Sequence, residues 1–250
     1  MRSFFHHSEA PQPVSIPVHA DVPEVRGAAL ASVYHSQRIA GDFYDFFRVS
    51  PNRVMFGLLD AAGGLTQTRA ILTAAQQTFR GVGSELFLQP EINETDAMIE
   101  LCQGMNRTVI SAATGVHSCP AFAGCYDETL GLVCYFNAGH TAGLAKDGNG
   151  VAELHATGLP LGLFSHLTSD ASIVALEPGA ALVLVSRGVV EAKYKSEEFG
   201  LQRVKDVVQH SPAGAGAKEL CASILDHVQQ FIHAAPTHDD VTVLVLARNS

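Results

Sequence analysis

Apolar positions along this chain fall into two kinds of run. Short stretches in which nearly every residue is apolar, bounded by turn-forming residues, occur at 27–34, 42–48, 54–59, 121–126, 132–136, 141–145, 151–154, 181–186 and 241–247, and they predict β-strands. Stretches with apolar residues three and four apart predict helices. Ile71, Leu72, Ala75 and Phe79 place one over 66–79, and Met98, Leu101, Cys102, Met105 and Val109 place a second after Asn93, a good N-cap followed by Glu94 and Asp96. Two more are predicted at 199–208 and at 218–231, where Leu220, Ile224, Val228 and Phe231 form one face. Ser50-Pro51-Asn52 is the turn between the second and third strands, and Asp127 to Gly131 is a hairpin-length link between the fourth and fifth. Strands grouped in hairpins, with helices grouped between them, indicate an α+β layered fold and not a βαβ parallel sheet.

Pro11, Pro13, Pro17 and Pro23 make residues 1–25 read as an extended or disordered lead-in, and 26–250 as a single domain. The chain is 47% hydrophobic, enough for a sizeable core. A net charge of -9, with only 16 Lys plus Arg, argues against nucleic acid as a partner, since phosphate backbones need a basic face. The five cysteines form no C-x-x-C pair, which suggests free thiols in a reducing cytoplasm. No apolar run approaches the ~20 residues of a membrane span and the N-terminal residues lack a signal-peptide core, so the sequence predicts a cytoplasmic protein with no membrane partner.

Candidate chemistry lies in acids at strand ends. Asp42 and Asp45 sit in Gly41-Asp42-Phe43-Tyr44-Asp45-Phe46, Asp60 ends the run 54–59, and Asp239-Asp240 immediately precede the run 241–247. Carboxylates gathered at the ends of buried strands repel one another unless a cation lies between them, and a hard divalent metal with oxygen ligands is a common solution.

Seven motifs, in order, resemble the PPM (protein phosphatase 2C-like) metal-dependent serine/threonine phosphatases of the bacterial SpoIIE/RsbU-like branch. They are Ala40-Gly41-Asp42-Phe43-Tyr44-Asp45, Leu59-Asp60-Ala61-Ala62-Gly63, Asn137-Ala138-Gly139-His140, Gly158-Leu159-Pro160-Leu161-Gly162, Ser186-Arg187-Gly188-Val189-Val190-Glu191-Ala192, Phe199-Gly200 and Asp239-Asp240-Val241-Thr242. The resemblance implies an antiparallel β-sandwich flanked by helices, with acids at one edge holding two Mn²⁺ or Mg²⁺ ions. These would activate a water for attack on phosphoserine or phosphothreonine of a regulatory protein such as an anti-sigma-factor antagonist. Carried over by motif, Asp42, Asp60 and Asp239 are the metal-binding and catalytic acids, Ala61 supplies a backbone carbonyl, and Asp240 orients.

Two departures qualify that reading. Leu65 stands where the family has a second glycine, and Arg187 stands where it has a metal-ligating Asp. A guanidinium ~5 Å from a divalent ion, at an effective dielectric of ~20, costs on the order of several kcal/mol, so a second metal should bind weakly or not at all. Arg187 reads as a harmless surface change, as a phosphate-binding cation replacing a metal, or as the mark of a retired site. The alternative function is accordingly a pseudophosphatase that binds a protein partner without hydrolysis. Asp45 reads equally as a solvated acid or as a support for the site. His140 reads as a turn histidine in preference to a catalytic acid, and Glu191 as a cap for a helix after the Arg187 turn.

Overall fold

The computed structural model describes residues 21–35, 41–61, 65–166, 168–233, 235 and 239–250. Two five-stranded antiparallel sheets pack face to face. One has the order β1 (Ala28–His35), β12 (Val241–Arg248), β9 (Ala181–Val185), β6 (Gly143–Asp147), β7 (Gly150–Leu154). The other has the order β2 (Asp42–Ser50), β3 (Arg53–Asp60), β4 (Ala121–Asp127), β5 (Leu132–Ala138), β8 (Ser172–Ala175). Helices α1 (Leu65–Phe87) and α2 (Glu94–Ala112) cover the second sheet, and α4 (Gly200–His210) and α5 (Ala217–Phe231) cover the first. The four-residue helix α3 (Arg187–Val190) and the paired two-residue strands β10 (Lys193–Tyr194) and β11 (Glu197–Glu198) lie between β9 and α4.

Burial on both faces explains why the strands read as continuous apolar runs without alternation. On β3, Val54, Phe56 and Leu58 join Leu182, Leu184, Leu244 and Leu246 between the sheets, while Met55 and Leu59 join the layer beneath α1 and α2. On β12, Val241, Val243 and Val245 turn instead to Leu220, Ile224 and Val228 of α5.

Several boundaries differ from those expected. Helix α1 runs eight residues beyond 79, through Gly81 and Gly83, because Val82, Leu86 and Phe87 continue its buried face; a Cβ at Gly83 would lie only 3.3 Å from the Phe47 ring, so the helix approaches the sheet closely there. Packing outweighs the low helix propensity of glycine. Strand β6 begins at Gly143 and not at 141, since Thr141 belongs to the turn organised by Asn137. Strand β8 was not expected: it is an edge strand with alternating half-buried and exposed residues. Of the proposed lead-in, residues 1–20 lie outside the described residues, and Val25 already belongs to the core between the sheets.

Asp45, on β2, fastens α1 to the sheet. Its carboxylate accepts hydrogen bonds from Arg80 Nε and Nη2, both at 2.7 Å, from Gln76 Nε2 at 3.2 Å and from the Phe46 amide at 2.8 Å. It is therefore a buried structural acid, and not the solvated one that was an equal reading. Arg80 is partly exposed and can rehydrate, so Asp45→Ala should cost only about 2 kcal/mol, read as a lower urea midpoint at unchanged m-value.

Candidate metal centre

Antiparallel pairing of β2 with β3 sets Asp42, the first residue of one strand, directly opposite Asp60, the last residue of the other. The strand ends are fixed by the Ala61 amide, which donates to the Gly41 carbonyl at 3.0 Å, and by the Asp60 amide, which donates to Pro120 at 2.9 Å. The third element comes from the other sheet. Thr242 of β12 donates through its hydroxyl to Asp42 Oδ2 at 2.7 Å, so a side chain of one sheet holds an acid of the other. Asp240 Oδ2 accepts from the Tyr34 hydroxyl at 3.1 Å and, at a long 3.4 Å, from the Asp42 amide. A Cβ at Gly41 would sit 3.0 Å from that same oxygen, which is why the sheet ends meet at a glycine.

Arg187 enters from the turn after β9. Ser186 Oγ donates to the Asp240 carbonyl at 3.1 Å and accepts from the Thr242 amide at 3.0 Å, and a Cβ on Gly188 would lie 2.0 Å from the Asp240 carbonyl oxygen. The backbone on both sides of Arg187 is thus pressed against the segment carrying Asp239 and Asp240. Its Nη2 donates to Asp239 Oδ2 at 3.2 Å, and its Nε lies 3.2 Å from Asp60 Oδ2. The second contact is one of charge only, since the Nε–H makes no hydrogen bond of acceptable angle.

Electrostatics follow from this crowding. Burial, together with the neighbouring Asp60 and Asp240 carboxylates, holds the Asp42 carboxyl well above the usual range, although the Ser186 and Thr242 hydroxyls pull it partly back. Burial also raises Asp60, to about 6; Arg187 opposes that rise, while Asp239, Glu191 and Asp240 add to it. Each acid would ionise more readily with a cation beside it.

The fold therefore brings Asp42, Asp60, Ala61, Asp239, Asp240 and Arg187 to one edge and leaves Asp45 elsewhere, against α1. Asp240 touches the neighbours of the site through Tyr34 and the Asp42 amide. Glu191 does cap a helix, but at its C-terminal end and through its backbone: it is the C-cap residue of α3, its amide donates to the Arg187 carbonyl at 2.8 Å, and the N-cap is Ser186. His140 is fully enclosed, its amide donates to Asn137 Oδ1 at 2.8 Å, and burial pushes its pKa down to about 4, so it is a neutral turn residue near pH 7. Sequence reading gave no role to Thr242, Ser186 or Tyr34, which orient the acids. The available signal was the hydroxyl of Thr242, two residues beyond Asp240 on the same strand face.

The donor chemistry at the end of β2 and β3, two carboxylates and the Ala61 carbonyl, is what one hard divalent ion takes. A second position does not fit. The space between Asp60 and Asp239 is taken by the Arg187 guanidinium, and among the described residues no three Asp, Glu, His or Cys side chains are arranged to close around an ion.

The model of one protein family, Stage II sporulation protein E (SpoIIE), matches residues 50–249. The chain belongs to the SpoIIE family. Among curated proteins, this SpoIIE-family chain is 25% identical over 211 residues to the phosphoserine phosphatase RsbP of Bacillus subtilis, covering 84% of the chain and 50% of RsbP. It is 23% identical to the protein IcfG of a Synechocystis strain over 253 residues, covering 91% of the chain and 39% of IcfG. It thus spans half or less of the curated relatives it matches. Among solved structures, the RsbU and RsbW domains of a Mycobacterium tuberculosis protein superpose with a TM-score of 0.73 at 21% identity, covering 92% of this chain and 64% of that one. The SiaA PP2C domain of Pseudomonas aeruginosa gives 0.70 at 18% identity, with 86% and 83% covered. The fold of this SpoIIE-family chain is thus the PPM phosphatase fold. PPM phosphatases are metal-dependent, and one neighbour, RsbX, is a complex with magnesium. Among the described residues no helix is long and apolar enough to cross a membrane.

Proposed function

We propose that this SpoIIE-family chain hydrolyses phosphoserine or phosphothreonine on a phosphorylated regulatory protein, with an anti-sigma-factor antagonist as the model substrate, using a reduced metal centre. The observation that carries this reading is the placing of Asp42 opposite Asp60 at the end of a hairpin, with Asp239 brought beside them from the other sheet. Asp42, Asp60 and the Ala61 carbonyl would hold one Mn²⁺ or Mg²⁺, which when bound supplies a water of lowered pKa and polarises the phosphoryl oxygen. Thr242 keeps Asp42 aimed at that position, and Ser186 ties the Asp239–Asp240 segment to the same strand end. The buried, free thiols suit a reducing cytoplasm.

A second reading, a protein-binding domain without turnover, is favoured by one observation: Arg187 already neutralises part of the acid edge. Hydrolysis of p-nitrophenyl phosphate and of a phosphoserine peptide, with and without Mn²⁺, separates the two. The enzyme reading expects Mn²⁺-dependent turnover that Asp42→Asn lowers at least a hundredfold, about 2.7 kcal/mol of transition-state stabilisation. Turnover no greater than that of Asp42→Asn leaves the binding domain.

A further inference from the structure

We infer that the Arg187 guanidinium is a permanent, built-in counter-ion at the acid edge: it takes the place of a second divalent ion, so the edge assembles without one and accepts at most one ion per chain. This deepens the reading above and rests on its treatment of the edge as ion-binding. Three features support it. Arg187 contacts two acids from different elements, Asp60 at the end of β3 and Asp239 before β12, each at 3.2 Å, and so bridges the two sheets as a metal would. Its backbone is not free to swing away, because Ser186 is hydrogen-bonded to the Asp240 carbonyl and to the Thr242 amide, and Gly188 is packed on that same carbonyl. Finally, Asp42, Asp60, Asp239, Asp240 and Glu191 all act on this edge, so one fixed cation leaves it net negative: enough charge remains to attract one divalent ion, while the guanidinium lies where another would sit between Asp60 and Asp239.

Guanidinium and divalent ion differ in one testable respect. A metal that bridges acids must be taken from solution, so the stability it confers follows its concentration. A tethered guanidinium confers its stability in chelator. Calorimetric titration with Mn²⁺ and thermal unfolding in EDTA or Mn²⁺ should be run on the intact chain, on Arg187→Ala, Arg187→Asp and Arg187→Lys. The intact chain should bind no more than one Mn²⁺, and its unfolding temperature should fall less on going from Mn²⁺ to EDTA than that of Arg187→Ala does. Arg187→Ala should unfold at a lower temperature in EDTA and recover with Mn²⁺, and Arg187→Asp should gain a second ion or bind Mn²⁺ at least tenfold more tightly. Arg187→Lys, which keeps the charge, should retain the stoichiometry of the intact chain. Two Mn²⁺ per intact chain, or an Mn²⁺ affinity in Arg187→Ala and Arg187→Asp no higher than that of the intact chain, overturns the inference. An intact chain that hydrolyses nothing but shows this pattern of ion binding loses the proposed enzyme function and keeps the counter-ion.

Discussion

Gly188→Ala should be among the most damaging single-methyl additions available in this chain. An added Cβ would lie 2.0 Å from the Asp240 carbonyl oxygen and 2.9 Å from its carbon, both main-chain atoms that cannot rotate out of the way. Either α3 lifts or the segment before β12 retreats. That segment holds Asp239 against Arg187 and Asp240 against Tyr34, so the same displacement loosens the acid edge. Overpacking against backbone typically costs 1–3 kcal/mol, and the loss of the Ser186 bonds to the Asp240 carbonyl and the Thr242 amide adds about 1 kcal/mol each. A total of about 4 kcal/mol lowers the melting temperature of a chain of this size by roughly 10 °C. Gly148 is the matched control, since nothing lies within 4 Å of a Cβ built there. Thermal unfolding of the two alanine variants, side by side, checks the contact: equal melting temperatures would mean that α3 does not press on Asp240.

The same glycine shows where the sequence was informative and where it was not. Strands and long helices were legible because burial imposes a pattern: β3 and β12 are apolar on both faces, and α5 carries Leu220, Ile224 and Val228 on the side that meets β12. The strand-end position of Asp42, Asp60 and Asp239 was legible for the same reason, since each acid interrupts or borders such a run. What was not legible depends on contacts between segments far apart in the chain. Helix α1 continues through two glycines because Phe47 and Leu101 lie beneath Gly83, and no local propensity reports that. Asp45 could be placed on a strand, but its partner Arg80 lies 35 residues away on a helix. Which end of a helix Glu191 closes was not legible, because α3 begins at Arg187 itself and its four residues are too short to show periodicity. Most consequential was Arg187. Its charge could be weighed from the sequence as a repulsion against a metal, but only the fold shows it bridging Asp60 and Asp239.

Asp60 carries the second large effect, and its direction is the opposite of an ordinary acid. The folded carboxyl titrates at about 6 against 3.8 for the unfolded chain, so between those values the folded state binds more protons than the unfolded state. Stability of the metal-free protein must then fall as pH rises from about 4 to 6, and above that window the ionised Asp60 leaves it weaker by up to about 3 kcal/mol. Asp42, also raised by burial, contributes in the same sense. Burial is the largest cause of the Asp60 shift and the Arg187 charge only part of an answer to it, so desolvation wins over the ion pair. Asp60→Asn, which resembles the neutral acid, should therefore stabilise the metal-free protein by about 1–3 kcal/mol at pH 7.5, an advantage that shrinks towards zero near pH 4. It should at the same time abolish Mn²⁺ binding, because the amide oxygen cannot replace the carboxylate charge. Urea midpoints of both proteins in EDTA at pH 4.5, 6 and 7.5 measure the balance. A variant less stable than the parent at pH 7.5 would show that the 3.2 Å contact with Arg187 outweighs the cost of burying the charge. In that case Asp60 is held ionised by its tethered cation, and the acid edge is stable as built and has no need of a metal to complete it.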